Sequence, residues 1–223
     1  LSKDVWTKYK VKGIFVDKVY GGIPADPEVI EGFLASKKNL SKEEKEAAKS
    51  IIEKTQDLQT VAGQIDKVSN IFNTDETGVF LNNYQIMGAL KESMSIQKSV
   101  TSWRAKMQRG VRVMPPFIYL YRDGKILKDL DGFEQKVVHS EDKFGAPVTS
   151  LKRVAFIVKP SFEFEVWVGN DKEGPIMSAK VLKSLLEHIE VTGIGAMHSM
   201  GMGQCKLTLV EPETNPAEPG PSK

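Results

Sequence analysis

The stretch TGIGAMHSMGMGQCKLTLV, residues 192–210, places Gly193, Gly195, Gly201 and Gly203 between a helix-like run and a strand-like run. Glycine costs conformational entropy and is used where the backbone needs positive φ or where another chain atom must come close. Two G-x-G pairs at this spacing therefore have two readings. They build a tight crossover that lets a helix and a strand pack, or they expose unhindered N–H groups that form an anion-binding concavity. His198 lies inside the loop, placed to stack on a base, to donate to a phosphate or simply to face solvent, and Met197, Met200 and Met202 supply adaptable apolar contact or fill gaps beneath it.

Upstream of the glycines, SAKVLKSLLEHIEV carries Val181, Leu182, Leu185, Leu186 and Ile189 on one helical face, and downstream CKLTLVE alternates as a strand. KRVAFIVKP and FEFEVWVG read as two strands separated at Pro160 and Ser161, and KYKVKGIFVDKVY, residues 8–20, as a strand whose apolar positions alternate with lysines. YQIMGALKESMSIQ, residues 84–97, reads as a helix. Taken in order these give β-α-β-β-α-β, the split βαβ arrangement. The expected fold is α+β, a ferredoxin-like (RRM-like) core with a helical insertion and a β-hairpin insertion.

One domain over residues 1–210 is expected, with a helical insertion at 27–75 and a basic, hairpin-bearing insertion at 98–150. The first is preceded by Asp26, an N-cap to Pro27 at N1, and contains Ser41 with Glu44 in capping-box relation, followed by apolar residues at three-four spacing up to Ile71. The second contains Asp123-Gly124 between two apolar runs, a hairpin signal. The tail at 211–223 is rich in Pro and Glu and is expected to be disordered or extended.

The formal net charge of the 223 residues is +2, so attraction to nucleic acid must come from local clustering. Such a cluster exists. Between Lys91 and Lys128 stand Lys91, Lys98, Arg104, Lys106, Arg109, Arg112, Arg122, Lys125 and Lys128 against only Glu92 and Asp123, interleaved with Trp103, Phe117, Tyr119 and Tyr121. Phosphate neutralisation plus base stacking is what a single-strand groove uses, while a solvated cationic face over core aromatics explains the same residues. One cysteine, Cys205, excludes an intramolecular disulfide framework, and three scattered histidines make no zinc signature, so neither a metal nor a cofactor is expected. No apolar run reaches the ~18 residues of a membrane helix, and a cytoplasmic protein without membrane partners is expected.

The loop pattern Gly193-x-Gly195-x5-Gly201-x-Gly203, with Ile194 and Met202 at its hydrophobic positions, resembles the glycine-rich loop of the CRISPR-associated RAMP superfamily. GVFLNNYQIMGALKESM, residues 78–94, resembles the backbone-subunit segment I-P-G-S-S-L-K-G-A-L-R through Gly88, Ala89, Leu90 and Lys91, whereas Asn82, Asn83 and Tyr84 replace its Pro-Gly-Ser. The resemblance implies an antiviral-defence ribonucleoprotein subunit that lines a guide RNA in stacked copies beside other subunits, with the hairpin of residues 116–130 as a thumb-like projection. Single-stranded DNA remains an alternative strand. Some backbone subunits of that family cut target RNA with an aspartate where Asp26 stands, a residue that reads by itself as a helix cap. His139, His188 and His198 would serve the alternative of a metal-independent guide-RNA-processing ribonuclease, although nothing places two of them together, and no catalytic residue is assigned. A third reading is a virus-encoded or assembly protein that uses the fold for protein contacts. The expected nucleic-acid contacts are Lys91, Lys98, Arg104, Lys106, Arg109, Arg112, Arg122, Gly193, Gly195, His198, Gly201 and Gly203.

Overall fold

The computed structural model describes residues 5–24, 68–98, 102–141, 147–172 and 174–210. Asp26, the helical segments expected before residue 68 and the tail lie outside the described residues. In chain order the elements are β1 (Trp6–Phe15), β2 (Lys18–Tyr20), β3 (Ile23–Pro24), β4 (Val68–Ile71), β5 (Asn73–Thr74), β6 (Val79–Asn82) and α1 (Asn83–Gln97). They continue with α2 (Trp103–Gly110), β7 (Val111–Met114), β8 (Phe117–Tyr119), β9 (Tyr121–Arg122), β10 (Lys125–Ile126) and β11 (Gly132–Glu141). Last come β12 (Pro147–Val158), β13 (Ser161–Gly169), α3 (Ala179–Thr192) and β14 (Cys205–Val210). The fold is mixed α+β with mostly antiparallel sheets.

The largest sheet runs β10-β9-β13-β1-β14, and β7 shares the outer edge of β13 with β9. The β1 pairings to β13 and β14 and the β7 pairing to β13 are all antiparallel. One face of this sheet is apolar because alternation sends Tyr9, Val11 and Phe15, Phe162, Phe164, Val166 and Val168, and Val111 and Val113 the same way, all buried. Helix α1 covers it with Ile86, Leu90 and Met94, and α3 with Leu182, Leu185, Leu186 and Ile189, the three-four spacing that lays one stripe on a core. The helices run antiparallel along a polar seam. Buried Ser93 meets His188 Nδ1 at 2.9 Å, and Gln97 exchanges two hydrogen bonds with Ser184, of 3.0 and 3.1 Å. His188 is thus explained by a partner across the seam, beyond any interaction with the helix dipole.

The structure corrects four expectations. Residues 152–159 and 162–168 do not form two neighbouring strands of the core: β12 and β13 are successive parts of one bent path, and β12 pairs with β11, β2 and β4 in a second sheet. Lys159, at φ 48°, and buried Pro160 bend the chain without reversing it, and the bonds Phe15 N to Pro160 O (3.0 Å) and Lys159 N to Asp17 O (2.7 Å) bridge the bend. The strand beside β13 is β7, inside the segment expected to be an insertion. Residues 68–71 and 73–74 are strands, because Val68–Ile71 pairs parallel to β12 and Asn73–Thr74 antiparallel to β6, tertiary pairings that override helical spacing. The 116–130 hairpin forms at Asp123-Gly124 but is no projection: Ile118 and Leu120 are fully buried, and Leu120 N bonds to Val79 O at 2.9 Å.

Candidate nucleic-acid interface

At the C-terminal end of β1 the glycine loop closes on itself. Gly193 caps α3 through its N–H to Ile189 O (2.8 Å), buried Ile194 dips into the core, and Ile194 N donates to Gly203 O at 2.9 Å. Gly193 (φ 87°) and Gly203 (φ 72°) face each other so closely that a Cβ on the first would overlap Met202 O and on the second Ile194 O. These two glycines form the neck of a tight crossover. Gly195 lies beneath the carbonyl of Tyr20, which accepts from Ala196 N at 3.3 Å. Gly201 (φ 76°) has open space around it and completes the single turn His198–Met200, with half-buried His198 and exposed Met200.

The adjoining start of α1 has few N–H groups to offer an anion. Asn82 N donates to Gln85 Oε1 (2.9 Å), Asn83 N to Pro116 O (2.9 Å), and Asn83 Nδ2 to Val113 O (3.1 Å). Tyr20 ties this end to the second sheet: its hydroxyl donates to Glu134 Oε2 at 2.7 Å, while Lys18 and Lys136 approach the same carboxylate at 3.2 and 3.1 Å. The Tyr20 hydrogen bond, assisted by both lysines, holds the Glu134 carboxyl down at about 2, and burial pushes the Tyr20 phenol up.

The basic segment lies elsewhere. Lys91 is exposed on α1, and Lys98 caps the far end of that helix in the left-handed region, roughly 20 Å along the axis from Gln85. Arg104, Lys106 and Arg109 follow on α2, and Arg112 projects from β7; residues 102–114 contain no carboxylate. The Arg112 guanidinium donates to the carbonyls of Gln108 (2.9 Å) and Val111 (2.8 Å). Arg122 is engaged differently, in a bidentate pair with Asp131 and a bond to Val158 O, so it staples the β9 turn to the β12 end. Three of the interleaved aromatics follow the core reading: Phe117 packs on Phe80 at 4.6 Å, Tyr119 edges against the same ring and donates to Asp75, and Trp103 packs on the core. The glycines and the cations thus occupy opposite ends of the α1–α3 pair.

Sequence reasoning missed the outer face of the main sheet. The alternation that buries Tyr9 and Val11 turns Trp6, Lys8, Lys10, Lys12 and Ile14 outward, and β13 sends Glu163, Glu165 and Trp167 to the same side. The pattern is present in WTKYKVKGIF and FEFEVWVG, but only the pairing of β1 with β13 and β7 brings Lys8, Trp167 and Arg112 into one row.

No family model matches the chain, and no curated protein matches it. A solved structure to which it is similar is described as the cryo-EM structure of the Type III-B Cmr-beta bound to cognate target RNA, at 13% identity and a TM-score of 0.43. The match covers 92% of this chain and 61% of that one, so the chain spans less than two thirds of that neighbour's length. Among the described residues no helix is long and apolar enough to cross a membrane, and no cluster of three or more His, Cys, Asp or Glu side chains could hold a metal.

Proposed function

We propose that β1-α1-β7-β13-α3-β14, with the sheet order β14-β1-β13-β7, is a ferredoxin-like core of the RAMP type, and that the protein is a non-catalytic subunit binding single-stranded nucleic acid, RNA in preference to DNA. Stacked copies would line a guide RNA within a CRISPR-type ribonucleoprotein. The observation that carries the reading is the α2–β7 ridge, where Arg104, Lys106, Arg109 and Arg112 follow one another within nine residues with no carboxylate between residues 102 and 114. In a chain of net charge +2 such a ridge concentrates the cations where a phosphate backbone can use them. The glycine loop contributes through its tip, where open Gly201 and His198 leave room for a strand to approach.

Fluorescence anisotropy of a labelled RNA of about 40 nucleotides and its DNA equivalent, at several salt concentrations, tests this. The expected result is affinity that falls steeply with salt, is greater for RNA, and is lost in Arg109→Glu/Arg112→Glu. Absence of binding at low salt overturns the reading.

A further inference from the structure

On the outer face of the main sheet, Lys8 stands opposite Trp167 and Trp167 opposite Arg112, so a tryptophan sits between two cations across three adjacent strands. Strand spacing separates the two flanking backbones by roughly 10 Å. The ring is held in place. Its Nε1 donates to Glu165 at 2.7 Å, Trp6 lies 6.5 Å away at 50°, and the Lys8 ammonium rests 4.3 Å from the ring centroid. Trp167 is half-buried, with Lys8 and Arg112 exposed beside it.

The charges on this face are unequal. Glu163 is taken by Lys10 at 2.8 Å and Lys12 at 3.5 Å, and Glu165 by the indole. Lys8 and Arg112 have no carboxylate partner among the described residues: Lys8 has the ring, and Arg112 has backbone carbonyls. Lys206 adds a further exposed cation opposite Ile14. A fixed aromatic plane between two cations lacking carboxylate partners complements one ligand chemistry closely, a flat unpaired base with a phosphate on either side. A duplex keeps its base faces stacked and offers none.

We infer that Trp167 is a stacking platform for an unpaired base of single-stranded RNA, with Lys8 and Arg112 receiving the flanking phosphates. This rests on the nucleic-acid reading above and names a contact within it. On binding, the Lys8 ammonium leaves the ring face for phosphate and the base takes its place. The strand crosses the sheet from β7 over β13 to β1, starting from the cationic ridge of α2.

The test uses the three-tryptophan chain with Trp6→Phe/Trp103→Phe, which leaves Trp167 as its one tryptophan. It is titrated with an oligouridylate of about ten nucleotides while anisotropy follows a labelled copy. The expected result is quenching of Trp167 emission that saturates at the anisotropy Kd. Trp167→Ala should weaken binding about ten-fold, Trp167→Phe much less, and Lys8→Ala or Arg112→Ala should each lower the log–log salt slope by about 0.7. Should the double variant not fold, the difference in RNA-induced quenching between wild type and Trp167→Phe reads the same ring. Binding by anisotropy with unchanged Trp167 emission and an unaffected Trp167→Ala would overturn the platform and leave the nucleic-acid reading standing. Loss of anisotropy binding altogether overturns both, and quenching by an acidic peptide but not by oligouridylate overturns the platform.

Discussion

The two ends of the main sheet are built by different means. At the glycine end the backbone is the working part: Gly193 and Gly203 press main chain on main chain, and the loop residues 192–205 hold a single titratable group apart from buried Cys205, namely His198. At the opposite end side chains do the work, with Arg104, Lys106, Arg109, Arg112, Lys8 and Trp167 mounted on regular helix and strand. A feature made of backbone is coupled to folding and tolerates little change, whereas one made of exposed side chains can be altered while the fold stands. The comparison can be broken at either end.

The largest effect is expected at the loop neck. Gly203→Ala sets a left-handed residue at φ 72° and drives its Cβ into Ile194 O, a backbone atom that cannot swing aside. About 3 kcal/mol or more should be lost in urea unfolding, against about 1–2 kcal/mol for Gly201→Ala, whose φ is similar but whose surroundings are open. Equal losses in the two variants would show that the neck is not closed by backbone contact.

The next effect is the carboxylate that anchors Tyr20. Glu134 is held at about 2 against the ordinary 4.5, so the folded state takes up its proton less readily than the unfolded chain. Its contribution is therefore present above pH 4.5 and lost as pH falls toward 2. With the side chain 33% exposed, solvent screening leaves about 1–2 kcal/mol of the shift. The stability gap between wild type and Glu134→Gln should be that large at pH 6, narrow below pH 4.5 and close as pH approaches about 2; a gap independent of pH would remove the ion cluster from the account.

How much of this was legible in the sequence follows the same division. The helices α1 and α3, the strand β14 and the Asp123-Gly124 turn are readable because each is declared by local chemistry, an apolar stripe or a turn dipeptide. The position of the glycine loop was equally plain. What escaped depends on pairing. Val111–Met114 is four residues inside a basic run and shows itself as a core strand only through its partner β13. Pro160 reads as a break, yet one residue of positive φ beside it lets the path run on. The Lys8–Trp167–Arg112 row joins positions more than fifty residues apart, and no window along the chain contains it.

A smaller effect concerns β14, which among the described residues pairs with β1 on one side only. On its other side Leu207 N donates to the Glu190 carboxylate at 2.6 Å, a side chain from α3 occupying a ladder position that another strand could use. Glu190→Ala should cost about 1 kcal/mol in urea unfolding and raise the sedimentation-derived mass at high protein concentration. An unchanged mass would mean that the β14 edge is protected by something other than this carboxylate.

The smallest effect on folding should come from the cationic end. Arg104→Ala/Arg109→Ala removes two exposed guanidinium groups, neither paired with a carboxylate among the described residues, one of them stacked only on Trp103 at 5.5 Å. Urea stability should shift by no more than about 0.5 kcal/mol. If both groups touch phosphate, the same variant should lower the log–log salt slope for single-stranded RNA by about 1.4, since each contact to a single strand releases about 0.7 of a counterion. A variant that folds as well as wild type yet binds RNA with a shallower salt dependence isolates binding from folding, which the glycine end cannot do. A large stability loss with an unchanged slope would reverse the comparison, making the ridge part of the scaffold and leaving the glycine loop to meet the strand.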